Sequence, residues 1–439
     1  MDNTGSIDTL ICPRWVLPVE PATVLTGHAV AIRDGRIIAV LPIDEARTRF
    51  SAERTIELDG HALLPGFVNA HTHAAMNLLK GIADDLPLQR WLEEHIWPAE
   101  GRWLSEAFVR DGTDLAIAEM IRSGTTTFND MYLFPDIGAE RAIRAGIRAA
   151  IGIVVLDFPT PWARDANEYL AKGLALRDEL KGDALVSMQL APHAPYTVSD
   201  GPLERIATLA NELDLPVHIH LHETAREVAQ AVEQTGQRPI ERLRELGLLG
   251  PNLLAVHMTA LDDTDIDLCA EYNVNVAHCP ESNLKLASGI CPVTRLQDAG
   301  VNIALGTDGS ASNNDLDMLG EMRTAALLAK GTSGDASRLS AHEALAMATI
   351  NGARALGIGD RVGSIEPGKA ADLIAVRLDT LESTPHYDPV SALVYSSSRE
   401  QVTDCWVAGR QLMKNRLLTT LDEAALLQTA NKWQERIGR

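Results

Sequence analysis

The 439-residue sequence predicts an α/β fold: a (β/α)8 TIM-type barrel with a small β-sandwich built from both chain ends. Three observations carry this. Eight short apolar runs between residues 66 and 309 each stop at a polar residue. Amphipathic stretches, such as Leu203 to Leu213 and Ile240 to Leu246, separate most of them. Both ends of the chain are β-rich, and each alone has too few strands to bury a core.

Residues 1–64 are assigned to the sandwich. Ala29 to Val40 holds two apolar runs around Asp34-Gly35, a hairpin signal, and a further extended run follows from Arg54 to Leu64. Residues 65–360 form the barrel, with strands expected near 66–71, 125–130, 148–156, 185–192, 216–222, 253–258, 273–279 and 301–307. Eight such units favour closure over an open sheet. One helical stretch is expected from Ala341 to Leu356. Residues 361–439 return to the sandwich through Ala371 to Val376 and Val402 to Val407, and end in a surface helix from Leu421 to Arg436.

The net charge, 39 minus 60 or -21, repels phosphate backbones and argues against nucleic acid as a partner. No stretch approaches the roughly 18 unbroken apolar residues of a membrane span. The N-terminus lacks a basic segment followed by an apolar one, and the five cysteines are odd in number and scattered. A cytoplasmic protein with reduced thiols is expected.

Several strand-end residues bind metals well. His71 and His73, two apart on a strand end, point to the same face by alternation. A catalytic zinc takes about three protein ligands and an open position for water. His220 and Asp308 can complete a His/His/His/Asp set from strands one, five and eight. His218, His220 and His222 share a face, so spacing alone does not choose among them. His220 is favoured because Glu223, just beyond, then lies near the metal. His-Glu-x-x-His and Pro-Cys-x-x-Cys patterns are absent.

The chain resembles the amidohydrolase superfamily, and within it the methylthioadenosine/S-adenosylhomocysteine deaminases. The resemblance runs from Leu64 to His73 and Met76 to Leu86, through Ala191 to Tyr196 and His220 to Thr224. It continues in Glu281 to Leu286, Gly306 to Asn314 and Gly363 to Leu373. It implies a zinc-dependent hydrolytic deaminase acting on adenine nucleosides, with His71, His73, His220 and Asp308 as ligands. Binuclear members bridge two metals with a lysine on strand four. Ala184 to Pro192 has none, so one metal per subunit is expected, zinc or iron.

By the same resemblance Glu223 protonates the ring nitrogen and later shuttles a proton to the amine. His257 orients the hydroxide, and Asp308 also accepts the water proton. His193 meets the purine and Glu100 the ribose hydroxyls, for which a carboxylate is a suitable acceptor. Trp91, Trp97 and His95 read as packing or structural residues. Relatives that take S-adenosylhomocysteine hold its carboxylate with arginines after strand three. Here Ile153 stands at one such place and Arg164 is the candidate for the other. Losing a bidentate partner weakens binding of that tail, so methylthioadenosine, and with it adenosine, is expected to be preferred. Alternatives on the same scaffold are a guanine or pterin deaminase or a triazine-type hydrolase, and outside enzymes a metal-free assembly protein. Relatives suggest a homodimer or homotetramer.

Overall fold

A computed structural model describes residues 5–438, which build two sheets. The first is eight-stranded and parallel, its strands in chain order: Phe67–Thr72, Thr125–Asp130, Arg148–Val155, Val186–Pro192, Val217–Leu221, Leu253–His257, Asn275–His278 and Ile303–Leu305. Each lies where an apolar run was read. Arg148–Val155 and Thr125–Asp130 are buried along their whole length, as strands covered on both faces must be. Helices such as Glu106–Ser123, Ala166–Glu179 and Asp200–Leu213 return the chain between strands. Ser105 and Asp165 cap the first two through side-chain oxygens.

Among the described residues no backbone ladder joins the first and eighth strands. A buried amide closes the seam instead. Asn69 Nδ2 donates to Thr307 Oγ1 at 2.8 Å, and its Oδ1 accepts from Thr307 N at 3.0 Å. One step on, Asp308 N donates to the His71 carbonyl at 3.0 Å. The close approach needs glycine at 306, where a Cβ would fall 2.8 Å from His71 N.

The second sheet has nine strands drawn from both chain ends. Leu373–Arg377 pairs antiparallel with Phe50–Pro65, from Leu373 opposite Pro65 to Arg377 opposite His61. Its two halves share an apolar cluster of Ile11, Val30, Ile32 and Ile37 with Leu373, Ala375 and Trp406. The hairpin at Asp34-Gly35 forms as read, with φ of 50° and 73° at the two turn residues. The helix Ile43–Arg49, absent from the sequence reading, joins this hairpin to Phe50–Pro65. No helix is long and apolar enough to cross a membrane among the described residues.

One ion pair ties the two sheets together. Arg148, on the third barrel strand, donates Nε to Asp372 Oδ2 at 2.8 Å and Nη2 to Oδ1 at 3.2 Å, and both side chains are buried. Ala408 N also donates to Asp372, at 2.7 Å. Asp372→Ala strands a buried guanidinium and is expected to cost about 3–5 kcal/mol, whereas an apolar pair at both positions recovers most of it. Urea unfolding of the single and double variants checks this. A single-variant loss below about 1 kcal/mol, the value of an exposed pair, would refute the clamp.

The helical stretch expected from Ala341 to Leu356 is two helices, Ala341–Met347 and Ile350–Ala355. The break lies at Thr349, with φ -133° and ψ -95°. Val68 N at the start of the barrel takes the Ala348 carbonyl at 2.8 Å, and Thr349 Oγ1 takes that of Leu345 at 2.5 Å. A carbonyl given to the barrel is lost to the helix. The terminal helix Glu423–Ile437 lies on the surface as expected, held by buried Trp433, whose Nε1 donates to Asp111 at 2.8 Å.

Candidate metal centre and active site

At the C-terminal mouth of the barrel the ends of strands one, five and eight bring four donor atoms together. His220 Nε2 lies 3.2 Å from His71 Nε2 and 3.3 Å from His73 Nε2. Asp308 Oδ1 lies 3.2 Å from His71 Nε2 and 3.3 Å from His73 Nε2. The far side of each ring is committed. His73 Nδ1 donates to the Met131 carbonyl at 2.6 Å and His220 Nδ1 to that of His193 at 2.8 Å. Both therefore turn a bare Nε2 lone pair inward. His71 Nδ1 rests on His218 Nε2 at 2.9 Å. Asp308 accepts from Gly309 N at 2.7 Å, Ser282 Oγ at 2.7 Å and Ser312 Oγ at 2.8 Å.

Burial disfavours the charged forms of His71 and His220. It drives His71 down to about 4 and His220 well below the usual histidine range. Burial would raise Asp308, but the hydrogen bond from His71 and the nearby imidazoles bring it well below the ordinary carboxylate range. The Nε2 atoms of His73 and His220 face each other at 3.3 Å, and lone pairs so placed repel unless a cation lies between them. Three imidazole nitrogens and one carboxylate are a donor set suited to a catalytic zinc.

Glu223 and His257 flank this cluster. His257 Nε2 is 3.8 Å from Glu223 Oε2, and within 4.8 Å of donor atoms of His71 and His220. Its Nδ1 donates to Asn283 Oδ1 at 2.9 Å, which turns Nε2 toward the cluster. Burial raises the Glu223 carboxyl, partly opposed by His257, and Ser288 Oγ donates to it at 3.3 Å. His222, His257 and Asp308 all have left-handed backbone, with φ of 51°, 76° and 62°. Such conformations collect at functional sites, where the surrounding structure enforces them.

Above the cluster opens a cavity of about 500 Å³. Glu100, on the helix Trp97–Trp103, lines it and accepts from Tyr132 Oη at 2.6 Å. Burial raises the Glu100 carboxyl, against that hydrogen bond. His193 also lines the cavity. Burial brings it to about 3, and its Nδ1 lies 3.1 Å from Thr197 Oγ1. The wall after strand three, Leu156 and Phe158 to Pro161, is mostly apolar.

Most residues singled out in the sequence thus meet here: His71, His73, His220, Asp308, Glu223, His257, Glu100 and His193. Arg164 does not. Its side chain is 84% exposed and paired with Glu168 at 2.7 Å, outside the cavity lining. Ile153 is buried against Gly173. Trp91 and Trp97 line the cavity, but His95 does not. His218 and His222, left open by spacing, now separate. His218 supports His71 from below. His222 turns away, its Nδ1 donating to the Ala260 carbonyl at 3.0 Å and its Nε2 accepting from Ile240 N at 3.1 Å. Sequence reading missed Tyr132, Asn283, Ser282 and Ser312 as partners of the site. The last three sit in motifs it quoted, Glu281 to Leu286 and Gly306 to Asn314.

An amidohydrolase family model matches residues 62–412. This chain belongs to the amidohydrolase family. As a member it is a hydrolase acting on carbon–nitrogen bonds. A 5-methylthioadenosine/S-adenosylhomocysteine deaminase of Teredinibacter turnerae is 48% identical over 439 residues, 100% of this chain and 99% of the relative. One from Saccharophagus degradans is 49% identical over 438 residues, 100% of this chain and 98% of the relative. Among solved structures, an adenosine deaminase from Xanthomonas campestris with bound zinc superposes with a TM-score of 0.98, at 54% identity over 99% of each chain. An atrazine chlorohydrolase of Arthrobacter aurescens, complexed with zinc, reaches a TM-score of 0.91 at 24% identity, covering 97% of this chain and 99% of its own. That likeness extends to the amidohydrolase fold alone.

Proposed function

We propose that this amidohydrolase deaminates adenine nucleosides by hydrolysis, with 5'-methylthioadenosine preferred. One observation carries the reading: a half-buried carboxylate, Glu100, held by Tyr132, faces the same cavity as Glu223 and the His71/His73/His220/Asp308 cluster. A free base has no ribose for Glu100 to hold. The names of relatives at 48–49% identity support the same substrate class.

His71, His73, His220 and Asp308 would hold one zinc ion. When bound, zinc lowers the pKa of water from 15.7 to about 7 and so supplies hydroxide at neutral pH. The remaining chemistry belongs to the side chains. Asp308 accepts a proton from the attacking water. Glu223, whose carboxyl burial makes easier to protonate, gives its proton to the ring nitrogen. It regains one from the hydroxyl at the tetrahedral carbon as that becomes a carbonyl, and passes it to the departing amine. The proton on Asp308 then restores Glu223. His257, fixed by Asn283, steadies the oxygen at the tetrahedral carbon. His193, neutral through burial, meets the purine. The water oxygen forms the new C–O bond, the exocyclic C–N bond breaks, and ammonia leaves with a hypoxanthine nucleoside behind. General acid–base help of this kind is worth about 10²–10⁴-fold.

The apolar wall after strand three suits a methylthio group, and with Arg164 turned outward no bidentate partner for a carboxylate-bearing tail lies there. The order methylthioadenosine, then adenosine, ahead of S-adenosylhomocysteine follows. The test is ammonia release, with the ultraviolet shift from adenine to hypoxanthine, on all three and on guanine. Equal turnover of the three nucleosides would remove the preference. Turnover of guanine alone would replace the substrate class.

Glu100→Gln is expected to lower kcat/KM for methylthioadenosine by about 10–100-fold, since hydrogen bonds to charged groups contribute about 1.5–3 kcal/mol. Steady-state kinetics check it, and an unchanged kcat/KM would free Glu100 of the ribose role.

A further inference from the structure

The turn that aims Glu223 departs from strand geometry. The fifth barrel strand ends at Leu221, His222 takes φ of 51°, and Glu223 follows. Left-handed backbone at a residue bearing a side chain persists only where neighbours over-determine it. Several neighbours do so. The His222 ring is held at both nitrogens by the Ala260 carbonyl and Ile240 N. Thr259 Oγ1 donates to the Glu223 carbonyl at 2.7 Å.

Two consecutive backbone N–H groups remain, and both go to one side chain. Glu227 Oε1 accepts from His222 N at 3.2 Å, and Oε2 accepts from Glu223 N at 2.7 Å. Glu227 stands in the first turn of the helix Ala225–Thr235, capped by Thr224, whose Oγ1 accepts from Glu227 N at 3.0 Å. In a capping box the glutamate returns to the N–H of the cap residue itself. Here it reaches past Thr224 to the two residues before it. Starting a helix does not call for that reach, but placing Glu223 does. Burial, and after it Glu223, push the Glu227 carboxyl up to about 7. The fold therefore retains an acid where burial disfavours its charge.

We infer that Glu227 is a positioning residue for Glu223, bridging the N–H groups of His222 and Glu223 and so fixing the direction in which the Glu223 carboxyl enters the cavity. The inference rests on the acid role proposed for Glu223. Glutamine at 227 keeps one acceptor oxygen of two, and alanine keeps none. Misplacing a reacting group by about 1 Å costs about 10²-fold in rate.

The experiment compares Glu227→Ala, Glu227→Gln and Thr224→Ala in the zinc-loaded full chain, reading kcat and KM for methylthioadenosine, bound zinc and Tm. In Glu227→Ala, kcat is expected to fall about 100-fold, with KM within about twofold of wild type and zinc retained. Glu227→Gln is expected to lie between it and wild type. Thr224→Ala weakens the same helix cap without touching either N–H, and is expected to keep its kcat. Wild-type kcat in Glu227→Ala overturns the inference. So does a kcat loss that tracks zinc loss, or one reproduced by Thr224→Ala. Glu223→Gln separates the two claims. Turnover there refutes the acid role itself, whereas an inactive Glu223→Gln beside a fully active Glu227→Ala refutes only the positioning.

Discussion

Glu223→Gln should leave the protein folded and loaded with metal while lowering kcat for methylthioadenosine by about 10³-fold, the middle of the range for a lost general acid–base. Glutamine has the shape of glutamate and still accepts from Ser288 Oγ, 3.3 Å away in the native site. It has no proton to give to a ring nitrogen at neutral pH. The fall should appear in kcat, with KM little changed, because the carboxyl acts on a proton in flight. Stopped-flow or steady-state absorbance at the adenine-to-hypoxanthine shift measures it, beside elemental analysis for metal. A variant within tenfold of wild type would move the proton transfer to another group. His257, 3.8 Å from Glu223, is placed to take that role.

Removing the metal should have the second large effect, on activity and stability together. Two of the donors, His71 and His73, lie at the end of the first strand, and Asp308 follows the eighth. The ties nearest the strands across that seam include the Asn69–Thr307 pair and the Asp308–His71 contact, and no backbone ladder joins the two strands among the described residues. An ion held by both sides would therefore also hold the barrel shut. Chelation should abolish turnover and lower Tm, and zinc should restore both. At free ion about 1,000 times its Kd, linkage gives about 4 kcal/mol of added stability. Ferrous iron in place of zinc tests the other ion named from the sequence. His220→Ala removes a donor from strand five and should lose both activity and the zinc-dependent part of the stability. A chelated protein with unchanged Tm would mean that the seam closes without the ion.

The barrel was legible because each strand is a short apolar run ending in a polar residue, a signal that survives in one sequence. His71, His73 and Asp308 were legible for the same reason. Spacing did not separate the three histidines at 218, 220 and 222, because alternation points all of them one way, and His220 was favoured only through its neighbour Glu223. Alternation fails at His222, where φ turns positive. His218 sits one layer lower, against His71. The break at Thr349 was invisible because it comes from the Ala348 carbonyl, claimed by Val68 at the far end of the barrel sequence. Arg164 was the candidate for a carboxylate partner after strand three, yet it pairs with Glu168 four residues on, outside the cavity. The Thr224-x-x-Glu227 spacing was readable as a helix cap. That its glutamate reaches back to His222 and Glu223 needed three dimensions.

The sandwich built from both chain ends also sets an order of events during synthesis. The strand Phe50–Pro65 pairs on one side with Gly5–Val16, but its other partner, Leu373–Arg377, is roughly 300 residues downstream. At about 5–20 residues per second on the ribosome, that partner arrives about 15–60 s later. Throughout that interval the nascent chain carries an unpaired sheet edge, of the kind that recruits other chains. The catalytic barrel can be translated in full before this edge is covered. Ribosome-bound chains halted before Leu373 should therefore be cut by protease between Phe50 and Pro65, and chains released after Val407 should resist.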